Sequence, residues 1–334
     1  MFHVVASVFN MQCLKPVKIG LSDDMREKRM NNKNLPLVER LRSYMYVPCG
    51  KCPACLTSRR SEWTFRLKQE MKVCESCHFI TLTYDDDKLN YERIEDDVGN
   101  VIDIVPMVCK KDVQLFLKRL RERIKPFKIR YFLVSEYGPQ TLRPHYHMIL
   151  FNFPNILNNK LYDYINESWS MGFISISDVN DARIHYVTGY CLDGSQVPEN
   201  RVKNFMLCSR RPGLGSYFLD VRGVVDYCRA NSTDLWSFAS STGVNKVRIP
   251  RYYRDKLFDD ELHDKIQLSN LQYYDKKSLD FISEHKKWLV SNGLEVNDKN
   301  MKTPYPTSPL DLENQKKRIF CENVRKRFKN KKNG

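Results

Sequence analysis

The segments of this chain that read as strand or helix follow one another as strand, helix, strand, strand, helix, strand, helix. That order predicts an α+β fold with a central antiparallel sheet. Two further observations support it. A glycine–proline pair, Gly138-Pro139, turns between two strands whose link is too short for a crossover, so they pair antiparallel. The second of these strands is apolar on both faces beyond its first residues, the pattern of a buried central strand.

Taken in order, residues 1–60 read as irregular structure around a cluster of cysteines. A helix is expected from about Ser61 to about Val73, with Trp63, Leu67 and Met71 on one side. Phe79 to Tyr84 alternates apolar residues with threonine, as a strand does, and Asp85-Asp86-Asp87 ends it. Val113, Phe116, Leu117, Leu120 and Ile124 fall at helical spacing, and Pro126 stops that helix. Ile129 to Glu136 and His145 to Phe153 are the paired strands. Leu161 to Trp169 reads as a helix and Phe173 to Ser177 as a fourth strand. Asn180 or Asp181 then caps a further helix. From about residue 255 charge density rises and the apolar period becomes helical. The chain thus divides into a cysteine-rich segment (1–60), a core domain (61–254) and a helical, basic C-terminal region (255–334).

The net charge is +15, from 55 basic and 40 acidic residues, which favours a polyanionic partner, most simply nucleic acid. A basic run from Lys316-Lys317-Arg318 through Arg325-Lys326-Arg327 to Lys331-Lys332 could hold phosphates, or could be a solvated helix end. No stretch approaches the roughly 20 apolar residues that span a bilayer, and the first residues do not read as a signal peptide. No G-x-x-x-x-G-K-[ST] motif is present, so the chain carries no recognisable ATPase loop. Its 11 cysteines, in a chain without a secretion signal, point to a reducing compartment and to thiols or metal ligands rather than disulfides. Cys49-x-x-Cys52-x-x-Cys55, with glycine and proline for tight turns, is a candidate structural zinc site. Cys13 is the first candidate for the fourth ligand, and Cys74 or Cys77 the second.

The most informative stretch is Arg143 to Phe151. Side chains alternate faces along a strand, so His145 and His147 point the same way and can meet on one divalent cation. Ile149 and Phe151 continue that face, while Met148 and Leu150 line the other. Further on, Tyr186 and Tyr190 are four apart, so on a helix they share a face. A tyrosine hydroxyl beside a metal-bound phosphate can act as a nucleophile. The plainer alternative for both tyrosines is the half-buried aromatic of an ordinary helix.

The His-hydrophobic-His strand followed by Tyr-x-x-x-Tyr resembles the HUH endonucleases. Among them it is most similar to the replication initiation proteins of small single-stranded DNA phages, the microviruses, especially their gokushovirus branch. Other matching pieces are Val47–Cys55, Phe79–Tyr84, Ser135–Pro139, Phe205–Gly215 and Ile249–Tyr253, in order along the chain. The resemblance implies a ferredoxin-like sheet with the tyrosine helix across one face. It also implies a metal held by His145, His147 and a third oxygen ligand. Glu136 is the best candidate for that ligand, since it lies on the neighbouring strand just before the turn. The alternative for Glu136 is a surface carboxylate paired with Arg143. Mg²⁺ or Mn²⁺ suits such a set.

Tyr190 or Tyr186 would attack single-stranded DNA at a phage origin, leaving a 5′-phosphotyrosine and a free 3′-hydroxyl. In the family the 3′ end primes rolling-circle synthesis, and the second tyrosine cuts the regenerated origin. A host helicase and polymerase in the bacterial cytoplasm are the expected partners. Arg210 and Arg211, beside Gly213 and Gly215, could contact the DNA backbone. The family's usual lysine before the second tyrosine is Gly189 here. Either the helix is locally distorted, or Arg183 or Lys203 serves that role. The competing readings are an HUH transposase and a non-catalytic zinc-containing DNA-binding protein. Relaxases place the tyrosine before the histidine pair, and here it follows.

Overall fold

The computed structural model describes residue 13 and residues 17–302, apart from positions 34, 139, 191–200 and 241–242. The chain forms two compact units: Arg59–Asp220, and Met1–Ser58 together with Val221–Lys326.

The segment before residue 60 holds more regular structure than its sequence suggests. Strand β1 (Val17–Gly20) is followed by helices α1 (Asp23–Asn31) and α2 (Leu37–Arg40) and by strand β2 (Tyr44–Val47). β2 returns antiparallel to β1 with Val17 opposite Val47. α1 is capped by Ser22, whose side chain accepts from the Met25 N–H, and Asp23 and Asp24 in its first turn face the positive end of the helix dipole. These elements bury few apolar side chains, so they carry no strong periodic signal. Helix α3 (Pro53–Met71) begins well before the expected Ser61. Proline at the first helical position loses no hydrogen bond, so Pro53 opens the helix rather than breaking it.

The second unit is built on a five-stranded sheet. Its strands are β3 (Cys77–Thr83), β6 (Arg130–Tyr137), β7 (Pro144–Phe151), β8 (Ile174–Asp178) and β9 (Met206–Cys208), in the order β8-β3-β7-β6-β9. All neighbours are antiparallel. A hairpin, β4 (Tyr91–Glu95) with β5 (Val101–Pro106), interrupts the path from β3 to helix α4 (Lys110–Arg123). Helix α5 (Leu161–Trp169) joins β7 to β8, and α6 (Asp181–Gly189) follows β8. Apart from the hairpin, β3-α4-β6-β7-α5-β8 is the βαββαβ arrangement of a ferredoxin-like fold, with β9 added at one edge. The expected α+β class, the antiparallel sheet and the buried third strand are all borne out.

Alternation along the strands divides the core into two layers. On one face, Ile80, Leu82, Leu133, Tyr146, Met148 and Leu150 pack with Phe116 and Leu120 of α4 and Ile165 and Trp169 of α5. On the other, Phe79, Phe132, Val134, Ile149 and Phe151 pack with Leu67 of α3 and Ile184 and Val187 of α6. Tyr146, between the two histidines, is fully buried in the first layer. Its hydroxyl accepts from the Cys109 N–H at 2.7 Å and shares a 2.9 Å hydrogen bond with Tyr84. Tyr84 in turn donates to Asp112 at 2.8 Å.

The turn after α5 lies against the end of β3. Thr83 N–H donates to Phe173 O at 2.9 Å, Asp85 N–H to Met171 O at 2.8 Å, and the Trp169 indole to Thr83 O at 2.7 Å. Gly172 makes this approach possible. Its φ is +147°, and a Cβ there would stand 2.4 Å from Asp85 N and 2.5 Å from Tyr84 C.

After the core come helix α7 (Val224–Asn231), the hairpin β10 (Leu235–Ser240) with β11 (Gly243–Arg248), α8 (Arg251–Leu257) and the long α9 (Asp260–Ser291). Asp259 caps α9, accepting from the Leu262 N–H at 2.8 Å. The helical period expected from about residue 255 is therefore met. The basic run 316–332 lies outside the described residues. No helix among the described residues is long and apolar enough to cross a membrane.

Because the atoms facing Gly172 are backbone, they cannot swing aside. Gly172→Ala is expected to lower unfolding free energy by at least ~2 kcal/mol in urea titration, through strained φ and overpacking. Gly20→Ala, where nothing lies within 4 Å, should change it by less than about 0.5 kcal/mol.

Candidate metal and nucleophile site

The register of the sheet decides which polar groups meet. Glu136 on β6 stands directly opposite His145 on β7, and Thr83 and Thr81 of β3 stand opposite His145 and His147. These side chains emerge on the face covered by α3 and α6, at the end of β7 where the apolar run begins.

Glu136 and His147 form the buried heart of the site, at 5% and 7% exposure. His147 Nε2 lies 2.9 Å from Glu136 Oε2, and His147 Nδ1 lies 3.1 Å from Thr81 Oγ1. A hydroxyl both donates and accepts, so Thr81 can satisfy Nδ1 in either tautomer. His145 is fixed differently: its Nδ1 lies 2.7 Å from the Arg143 carbonyl, an acceptor only, so Nδ1 carries the proton and Nε2 keeps the lone pair. Burial holds the His145 imidazole below its ordinary pKa, which extends the neutral, ligand-competent form to lower pH. Two imidazoles anchored at Nδ1 beside a buried carboxylate are a donor set suited to a divalent cation. The structure joins His147 to Glu136 directly and places His145 across from Glu136 on the same face. Among the described residues, however, the group whose ligand atoms all lie within 4.8 Å of one another is a different one, Cys13, Cys49, Cys52 and Cys55. Arg143 is not the partner of Glu136; it pairs with Asp86 and donates to the Tyr84 carbonyl.

Helix α6 carries the tyrosines onto this site. Asn180 caps it, its side chain accepting from the Arg183 N–H at 2.9 Å. Three contacts hold α6 against α3: Arg60 donates to His185 O at 2.9 Å, Thr64 and Thr188 hydroxyls meet at 2.9 Å, and Lys68 pairs with Asp181 at 2.9 Å. The rings of Tyr186 and Tyr190 lie 5.2 Å apart, edge to face. Both touch His147: Tyr190 stacks on it with centroids 5.4 Å apart, and Tyr186 meets it edge-on at 5.2 Å. On the other side Phe79 stacks on the imidazole at 5.7 Å. Tyr190 follows the last residue of α6 and is buried, whereas Tyr186 is half-buried. Burial, then the Glu136 carboxylate and Tyr186, push the Tyr190 hydroxyl pKa far up.

Gly189 ends α6 and is buried. Of the two basic residues that could take the role of the family's lysine, Arg183 lies with its guanidinium 4.7 Å above the Phe79 ring, and so borders the site. Lys203 is exposed on the far side of the undescribed stretch 191–200. Arg210 and Arg211 are exposed in the turn after β9. The glycines that follow them are packed inward: Arg130, paired with Glu70, donates to Pro212 O and Gly213 O at 3.1 Å, and Gly215 N–H donates to Glu70 at 2.7 Å. The residues that sequence reasoning did not assign to the site are Thr81 and Phe79. Their signal is present in the alternation Phe79-Thr81-Thr83.

Comparison with known proteins agrees with the motifs. The model of a family described as Replication-associated protein ORF2 matches residues 77–195, from the first residue of β3 past both tyrosines. The chain is 25% identical to Replication-associated protein ORF2 of Spiroplasma virus 4, over 78% of this chain and 85% of that protein. It is 28% identical to Replication-associated protein VP4 of Bdellovibrio phage phiMH2K, over 54% of this chain and 57% of that protein. With Replication-associated protein ORF4 of Chlamydia phage 1 the identity is 26%, over 63% and 53%. The chain thus spans little more than half the length of the last two. No solved structure matches. The chain is therefore similar to phage replication proteins of microvirus type, as its motifs indicate.

A raised tyrosine pKa keeps the folded hydroxyl neutral. The stability this contributes is present below the ordinary value of about 10 and is lost as pH rises above it. In a spectrophotometric alkaline titration of the folded chain, Tyr190→Phe is expected to remove no phenol that ionises near pH 10. Loss of one such phenol would show that Tyr190 is solvated.

Proposed function

We propose that this chain is a phage replication initiator that cuts single-stranded DNA at an origin by tyrosine attack and rejoins the ends. The observation that carries this reading is the meeting of Tyr186 and Tyr190 on one face of His147, whose Nε2 is coupled to Glu136. A merely structural aromatic pair has no need of a buried imidazole–carboxylate couple against it. Similarity to the replication-associated proteins of three phages supports the same reading.

Held by His145, His147 and Glu136, a divalent cation such as Mg²⁺ or Mn²⁺ supplies Lewis-acid polarisation of the phosphate when bound. The chain's residues do the rest. Thr81 and the Arg143 carbonyl fix the imidazole orientations. One tyrosine oxygen forms the new phosphoester to the 5′ side as the bond to the 3′ oxygen breaks. The phenol gives up its proton, and the departing 3′ oxygen takes one up. The covalent link conserves the ester's free energy, so the 3′-hydroxyl can reverse the step without ATP. The second tyrosine on the same face can cut the origin again while the first still holds an end. Arg183, Arg210 and Arg211 are the positions proposed to contact DNA phosphates. A host helicase and polymerase, in the bacterial cytoplasm, would extend the free 3′ end.

The test uses labelled single-stranded origin DNA of the phage, the purified full chain, and Mg²⁺ or Mn²⁺, read on a denaturing gel for a protein–DNA adduct. A metal-dependent adduct is expected, lost in the Tyr186→Phe/Tyr190→Phe double variant. Of the single variants Tyr186→Phe should lose more, because Tyr186 is the more accessible phenol. Thr81→Val should lower adduct yield by ~10–100-fold, the usual effect of removing a partner that orients a metal-binding histidine. DNA binding without any adduct would instead favour a non-catalytic zinc-containing DNA-binding protein, the reading to which the cysteine cluster alone would point.

A further inference from the structure

The cysteine cluster lies apart from the tyrosines in the sequence and has no part in the chemistry above. Cys13 precedes β1 and Cys49 follows β2, so both stand at the same end of the β1–β2 ladder. Cys52 immediately precedes α3, and Cys55 lies in its first turn. All four sulfur atoms lie within 4.8 Å of one another, and Cys52 Sγ is 3.9 Å from Cys13 Sγ. Four thiolates around one zinc at about 2.3 Å form a tetrahedron with edges of about 3.8 Å, being about 1.63 times the bond length. The backbone is already shaped for such a site. Gly50 takes a left-handed turn at φ +72° between Cys49 and Cys52. Cys49 N–H points at Cys13 Sγ at 3.2 Å, and Cys52 N–H at Cys49 Sγ at 3.3 Å, contacts that offset negative charge on sulfur.

The surroundings show why a cation is needed. Between residues 13 and 58 the buried apolar side chains among the described residues are Leu21, Leu35, Cys52 and Leu56. All four residues of β1 are exposed. A two-stranded ladder of this length is marginal in water, and segments with so little core rely on staples.

We propose that Cys13, Cys49, Cys52 and Cys55 bind one Zn²⁺ tetrahedrally and that this ion closes the open end of the β1–β2 ladder onto the start of α3. Binding converts four thiols to thiolates and releases four protons to solvent, leaving the centre with a net charge of −2 and no change in oxidation state. The sulfur-only tetrahedral set also suits a single iron, so the experiment separates the two.

The full-length chain, purified without chelator and dialysed, is analysed for metals. About one zinc per chain is expected. Four of the 11 cysteines should resist a thiol reagent until a chelator is added, and the melting temperature should fall on chelation. Replacing the zinc with Co²⁺ in the unmutated chain should give the visible bands of tetrahedral cobalt and a thiolate-to-metal charge-transfer band. Cys13→Ser and Cys52→Ser should each weaken zinc binding by more than the ~10–100-fold typical of outer-shell changes, while Cys74→Ser and Cys77→Ser should leave it unchanged. The cobalt spectrum needs no variant, so misfolding of a cysteine mutant does not decide the matter. Iron in place of zinc, disulfides among these four residues, or four freely reactive thiols with no retained metal would each overturn the proposal. None of these readouts depends on DNA cleavage.

Discussion

A carboxylate taken out of water is costly unless its charge is matched, and Glu136 is nearly out of water. The group that matches it is the imidazole of His147, itself buried, on the adjacent strand. That single contact constrains much of the core. It fixes the register of β6 against β7, because a slip of one residue would turn His147 to the opposite face and leave Glu136 alone among apolar side chains. It also requires a lid, since a buried pair open to water would be only a weak surface ion pair. Helix α6 supplies the lid with two tyrosines, and α3 holds α6 in place through Arg60, Thr64 and Lys68.

The sheet separates two jobs between its faces. The face under α4 and α5 is almost wholly apolar, apart from the buried Tyr84–Tyr146 hydroxyl pair, and supplies cohesion. The face under α3 and α6 begins apolar at Phe151 and Ile149 and becomes polar at His147, His145 and Glu136. Strand β7 belongs to both layers at once. Its hydrophobic run anchors it between two neighbours, so its polar end is held with the precision of a core strand rather than of a loop.

Periodicity made much of this legible. The 2.0 and 3.6 residue periods are set locally, so β3, α4, β6, β7, α5, β8 and α6 emerged close to their observed limits. The pairing of His145 with His147, and of Tyr186 with Tyr190, follows from the same two periods. What stayed hidden depends on tertiary contact. β1, β2 and the hairpin β4–β5 are short and largely exposed, so no apolar alternation marked them. The first turns of α3 were obscured by a cysteine cluster and by Pro53, whose usual sense as a helix breaker reverses at the first helical position. The partner of Glu136 was open between a metal-site histidine and Arg143. Only the register shows that Arg143 turns toward Asp86 instead. Thr81 was visible as a strand residue, but its bond to His147 needed the β3–β7 pairing to be known.

The residue between the two histidines carries a consequence for how such motifs evolve. Written as His-hydrophobic-His, the middle position looks free to drift among bulky apolar types. In this chain it is Tyr146, and its hydroxyl answers to the Cys109 amide and to Tyr84, which itself answers to Asp112. Phenylalanine would fit the volume yet strand those partners in the core, at about 1–3 kcal/mol for each buried group left unmatched. Lineages that replace this tyrosine therefore have to rewrite Tyr84 and Asp112 as well, so the three positions should drift as a set while the histidines on the opposite face stay still.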